Sequence, residues 1–174
     1  MRASVRPYAW MRWLYPKAIW RGSPEEPVLF LSFDDGPEPR VTSIVLDILK
    51  ENQVKANFFC IGKNVRAHPG LFQRIYDEGH LCGNHTERHV NGFHTSTGAY
   101  LQDVQACSGI VTSRFFRPPY GRMKISQYRQ LCKEYSIVMW DVLSRDYDPK
   151  ISPEVCKQHV LKNCRNGSIL VFHD

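Results

Sequence analysis

The strongest constraint on this chain is the alternation of short apolar runs with amphipathic segments of helical length. VLFLSF (28–33), KANFFCI (55–61), HLCGNH (80–85), SRFFRPPYG (113–121), SIVMW (136–140) and SILVFHD (168–174) have strand character. Between them, VTSIVLDILKEN (41–52), PGLFQRIYDEG (69–79), residues 96–112, ISQYRQLCKEY (125–135) and PEVCKQHVLKNC (153–164) read as helices. Strands alternating with helices argue for parallel βα units. The fold class is therefore α/β, as an open doubly wound sheet or a closed barrel. In both, chemistry collects where the C-terminal ends of the strands share one face. The 174 residues suffice for one domain with a substantial core.

That rule sorts the polar residues. Asp34 and Asp35 follow the first strand, His85 the third, and Arg117 the next. Asp146 lies just beyond SIVMW, and His173 closes the last run. In LSFDDGPEP (31–39) two carboxylates stand side by side before a Gly-Pro turn. One Asp suffices to shape a turn, and adjacent like charges repel, so the second needs another reason. HTERH (85–89) places two histidines at i and i+4. On a helical turn they lie on one face and grip one metal ion. Glu87, two places after the first, points away. The spacing alone is a weak signal, equally met by two surface histidines.

Asp35 with His85 and His89 makes the open three-ligand set of catalytic metal sites. A cation there polarises a carbonyl and acidifies water, and it makes two adjacent carboxylates tolerable. Asp34 is then the general base, and Arg117 forms a bidentate pair that fixes its orientation.

SFDDG, HTERH, RPPYG, SRDY and LVFHD, in that order, resemble the motifs of the NodB-type polysaccharide deacetylases (carbohydrate esterase family 4) over roughly residues 27–174. The resemblance implies a distorted (β/α) barrel that hydrolyses N-acetyl groups of N-acetylglucosamine-containing glycans and releases acetate. It maps the base to Asp34, the ligands to Asp35, His85 and His89, and the base-orienting arginine to Arg117. It maps oxyanion stabilisation to the backbone N–H of Tyr120 in the Pro119–Tyr120 turn, and the acid for the leaving amine to His173, paired with Asp146. It further implies that Tyr147 and Val171 line the acetyl-methyl pocket. The family often has D-x-x-D-W where this chain has LSRDY, so Leu143 replaces an acid and Tyr147 a Trp. Members usually continue past the last motif with another helix, so the barrel is expected to lack its last C-terminal element. The implied cofactor is a divalent metal, zinc first, with cobalt, nickel or iron also suited to this ligand set. The alternatives are an amidase of the same architecture acting on a small amide, and a catalytically silent glycan-binding protein.

Other features set bounds. The composition, 43% hydrophobic and 23% charged, is that of an ordered globular protein. The net charge of +6 is spread along the chain, without the clustered patch that nucleic-acid binding requires. Six cysteines contain no Cys-x-x-Cys pair and read as reduced thiols. Residues 1–26 form an aromatic and basic arm, with Trp10, Trp13, Tyr15 and Trp20 interleaved with Arg6, Arg12, Lys17 and Arg21. The arm reads as packed along the domain 27–174, with interfacial membrane contact as the alternative. It lacks the apolar region and cleavage site of a signal peptide, and no stretch has the length of a membrane span. By sequence the location is cytoplasmic, although a cell-envelope glycan would call for export.

Overall fold

A computed structural model describes residues 4–174. Seven parallel strands form one sheet: β1 Phe30–Asp34, β2 Asn57–Cys60, β3 Leu81–Asn84, β4 Phe115–Phe116, β5 Ser136–Ile137, β6 Val142–Leu143 and β7 Ile169–His173. Their spatial order is β5-β4-β3-β2-β1-β7-β6. The edge strands β5 and β6 are not paired with each other, so the sheet is a curled, incompletely closed barrel, the distorted (β/α) fold expected. Seven α-helices accompany it: α1 Ala9–Leu14, α2 Val41–Glu51, α3 Gly62–Ala67, α4 Pro69–Asp77, α5 Thr97–Ser108, α6 Ile125–Leu131 and α7 Pro153–Asn163.

The helices follow from local signals. α2 buries Thr42, Leu46 and Leu49, one stripe at helical spacing, against the sheet. α4 and α7 each start on a proline, whose missing N–H is no loss in the first turn. Ser96 and Ser152 cap α5 and α7 by accepting from the N–H groups of Ala99 and Val155. Three elements escaped the sequence reading, α1, α3 and β6. β4 is also much shorter than the run 113–121, because Pro118 and Pro119 cannot donate to a ladder.

Leu46, Phe58 and Ile75 lead one core cluster, and burying each contributes about 1.5–3 kcal/mol. A second cluster joins Tyr100, Phe116 and Ile137 to Tyr15 and Trp20 of the arm. The arm also joins the sheet region by main-chain bonds. Ile19 bridges Val138 in parallel, and Arg21 bridges Ser168 in antiparallel fashion. All six cysteines are free thiols, with Cys60, Cys82 and Cys107 buried. Among the described residues no helix is long and apolar enough to cross a membrane.

Candidate active site

Register assembles the site. Asp34 on β1 pairs with His173 on β7, and Asn84 on β3 pairs with Phe116 on β4. The residues that follow, Asp35, His85 and Arg117, therefore emerge at one end of the sheet. A cleft of about 450 Å³ opens there, lined by Asp34, Asp35, His85, His89, Arg117, Tyr120, Tyr147, Val171 and His173. Of the other residues singled out from sequence, Pro119 is buried in the 3-10 turn Pro119–Gly121, and its neighbour Pro118 faces the cleft. Asp146 stands behind His173.

Asp35, His85 and His89 form one cluster whose ligand atoms lie within 4.8 Å of one another. The Nε2 atoms of His85 and His89 approach Asp35 Oδ1 at 3.4 and 3.0 Å. That oxygen is buried and has no hydrogen-bond partner, a costly arrangement unless something else binds it. The His85 Nδ1 lies 2.7 Å from the Arg117 carbonyl oxygen. Donation to that carbonyl fixes the ring and leaves the Nε2 lone pair facing Asp35. Burial pushes the Asp35 carboxyl up, but the two imidazoles outweigh it and hold the group well below its ordinary value. An orphaned carboxylate oxygen and two aimed imidazole nitrogens fit a divalent metal with nitrogen and oxygen ligands.

The loop carrying His89 is not the helical turn that the i, i+4 spacing suggested. Residues 85–91 are irregular, and Thr86 and His89 have φ of 66° and 57°. A β-branched Thr there is strained, and surrounding contacts must hold it. The Asn84 side chain accepts from the Thr86 N–H at 2.8 Å, and Asp103 of α5 accepts from the N–H groups of Glu87 and Arg88, both at 2.9 Å. The start of α3 completes the clamp, because Gly62 and Lys63 donate to the Thr86 and Glu87 carbonyls, both at 2.9 Å. Glu87 pairs with Arg66 at 3.0 Å, away from the cluster as its spacing implied.

Asp34 is 5% exposed and Arg117 only 1%. Arg117 Nη1 donates to Asp34 Oδ1 at 2.5 Å and to Ser32 Oγ at 2.8 Å. Its Nε and Nη2 donate to the Val138 and Met139 carbonyls at 3.2 and 3.1 Å, and its Cζ lies 3.9 Å from the Phe59 ring centroid. The pair is thus single-pronged rather than the bidentate fork expected. Ser32 takes the place of the second carboxylate oxygen, which leaves Asp34 Oδ2 without a side-chain donor among the described residues.

Asp146 accepts from His173 twice, from the backbone N–H and from Nδ1, both at 2.7 Å. The ring is thereby oriented with Nε2 as its free nitrogen, and Tyr147 packs edge-on against it at 4.8 Å. Burial pushes the His173 imidazole down, but Asp146, with Asp34 and Asp35 nearby, outweighs this and holds it above its ordinary value. The charged imidazolium therefore persists to higher pH than in a free histidine. Asp146→Asn removes that support, so the alkaline limb of any activity that needs the imidazolium moves to lower pH. A pH–rate profile of the variant against the parent checks this.

Two contributors lie at the ends of the motifs SFDDG and LVFHD, but the sequence pattern assigned neither a role. Ser32 reads as an ordinary strand residue, yet it bonds Arg117 and donates to the Leu170 carbonyl at 2.8 Å. The Asp174 carboxylate accepts from the Gly36 N–H at 3.2 Å and from Thr42 at 2.5 Å, tying the Asp-Asp-Gly turn to β7. A Cβ on Gly36 would collide with that carboxylate, which its hydrogen bonds hold in place. Burial pushes the Asp174 carboxyl up to about 7, against its two hydrogen bonds and with Asp34 and Asp35 adding to the rise.

The polysaccharide deacetylase family matches residues 21–140 of the chain. A peptidoglycan-N-acetylglucosamine deacetylase of Bacillus cereus is 32% identical over 180 residues, which cover 99% of this chain. The chain spans 64% of the length of that relative. A chitooligosaccharide deacetylase of Azorhizobium caulinodans is 32% identical over 84% of this chain and 73% of its own. Among solved structures, the Bc1960 peptidoglycan N-acetylglucosamine deacetylase, in complex with 4-naphthalen-1-yl-N-oxidanyl-benzamide, superposes with a TM-score of 0.88 at 31% identity. That match covers 97% of this chain and 80% of the other.

Proposed function

Because the chain belongs to the polysaccharide deacetylase family, we propose that it is a metal-dependent hydrolase removing N-acetyl groups from N-acetylglucosamine-containing glycans. Residues 27–174 act as the catalytic domain and residues 1–26 as its arm. The observation that carries this reading is one cleft holding the Asp35–His85–His89 cluster, the Arg117-bound Asp34 and the Asp146-backed His173. Peptidoglycan-type and chitin-type chains are the substrates the named relatives suggest.

Asp35, His85 and His89 are the residues that hold the metal. Zinc suits two imidazoles and one carboxylate best, and cobalt, nickel or iron also fit that set. When bound, the metal polarises the amide carbonyl and acidifies water. Asp34, steadied through Oδ1, takes the proton of the attacking water on Oδ2. The backbone N–H of Tyr120 stabilises the oxyanion that forms. His173 delivers its proton to the amide nitrogen as the C–N bond breaks, and acetate and a free amine leave. Val171, 2% exposed on β7, and Tyr147 close around the acetyl methyl.

The test is acetate release from N-acetylglucosamine oligomers by chain stripped of metal and then refilled with zinc or cobalt. Release vanishes on stripping and returns on refilling. Undiminished release after stripping would refute the metal-dependent reading.

A further inference from the structure

Part of the cleft wall comes from the arm. Tyr8 and Trp10 line the same cleft as Asp35 and His89. They remain 43% and 55% exposed, with rings stacked nearly parallel, 11° apart in tilt and 6.3 Å between centroids. Scattered exposed aromatics need no explanation. A stacked pair facing a polar site is a different matter, and this pair sits on a segment fastened before and after it.

Before it, the Leu143 N–H donates to the Val5 carbonyl at 2.8 Å, and Arg6 donates to the Asn163 carbonyl at 2.5 Å. After it, Arg12 pairs with the buried Asp141 at 3.0 Å. The Tyr15 hydroxyl then donates to the Met123 carbonyl at 2.5 Å. The aromatic wall is therefore held in place before a ligand arrives, which lowers the ordering cost of binding. Tyr120, 58% exposed and 4.6 Å from the His89 ring, adds an aromatic face beside the metal cluster itself.

Aromatic faces carry negative quadrupole charge. The C–H faces of a pyranose ring are apolar and slightly positive, whereas its rim of hydroxyls prefers polar groups and water. A fixed aromatic wall that opens to solvent beside a sugar-processing site matches that pattern. We propose that Tyr8 and Trp10 form a sugar-stacking subsite for the glycan residues adjoining the one whose acetyl group meets Asp35, His85 and His89. The protein then acts on chains in preference to short fragments. This inference rests on the deacetylase reading and deepens it.

The test uses the full zinc-loaded chain carrying Asp34→Asn, so that the ligand is not consumed, with the N-acetylglucosamine tetramer and dimer as probes in calorimetry. The tetramer binds more tightly than the dimer. Adding Tyr8→Ala and Trp10→Ala weakens tetramer binding about tenfold, as the loss of two stacking contacts implies. Trp10→Phe, which keeps an aromatic face, retains most of the affinity and guards against misreading a fold defect. Trp13→Ala serves as the control, since Trp13 is 80% exposed but outside the cleft lining, and it leaves the tetramer affinity unaltered. Equal affinity for tetramer and dimer, or an unchanged tetramer affinity in the double variant, overturns the subsite. A Trp10 response to anionic vesicles with none to oligomers also overturns it and assigns the pair to a membrane surface. Trp10-dependent tetramer binding without acetate release by the parent chain leaves the subsite standing and removes the deacetylase reading instead.

Discussion

Asp34→Asn lowers acetate release from N-acetylglucosamine oligomers by about 10²–10⁴-fold, the range for loss of a positioned general base, while zinc affinity is retained. The substitution keeps the shape and the Oδ1 acceptor that Arg117 Nη1 donates to. It removes the only basic oxygen at that position. The group able to hold a metal contains Asp35 and not Asp34, so the two proposed functions are expected to separate. Measured by calorimetric zinc titration and an acetate assay on one preparation, retained turnover removes Asp34 from the role of base. Lost zinc binding shows instead that the two neighbouring aspartates act as one unit.

Arg117→Met costs both turnover and stability. Asp34 is left buried beside an apolar side chain, and three further acceptors, Ser32 Oγ and the Val138 and Met139 carbonyls, lose their donor. Breaking one partner of a buried pair typically costs about 3–5 kcal/mol, or a fall in Tm of about 6–20 °C at this chain length. Thermal unfolding of the variant checks the size. The double variant Asp34→Asn, Arg117→Met recovers part of the loss, because no uncompensated carboxylate remains. A Tm unchanged in the single variant would contradict the buried, fully engaged guanidinium described here.

The chemistry at strand ends was legible because period and position coincide. A parallel strand that ends on Asp34, Asn84 or His173 delivers the next side chain to one face of the sheet, whatever the helices do. The order of elements followed from the same pattern. Three features were not legible, each for a tertiary reason. HTERH looked like a helical turn because i, i+4 spacing is ambiguous. Its true shape depends on Asp103, which lies fourteen or more residues downstream on α5, and on α3, a six-residue helix too short to show a period. Ser32 looked like any strand residue, since only the cross-sheet approach of Arg117 reveals its use. The arm showed its aromatic and basic composition plainly. Its docking into the gap beside β5 and β7 depends on main-chain bonds from Ile19 and Arg21 that no pattern in side chains announces.

The most direct measurement of the central claim is acetate release by metal-stripped chain titrated with zinc, run in parallel on His89→Ala. His89 offers one of the three proposed ligand atoms and sits on a loop already held by Asn84 and Asp103, so its removal alters the ligand set more than the fold. The parent chain gains activity up to one equivalent of zinc. The variant needs at least about tenfold more zinc for half its activity, since even partners one step removed from a metal contribute that much to affinity. Identical titrations for the two chains, or full release before any zinc is added, would contradict the assignment of Asp35, His85 and His89 as the metal site on which hydrolysis depends.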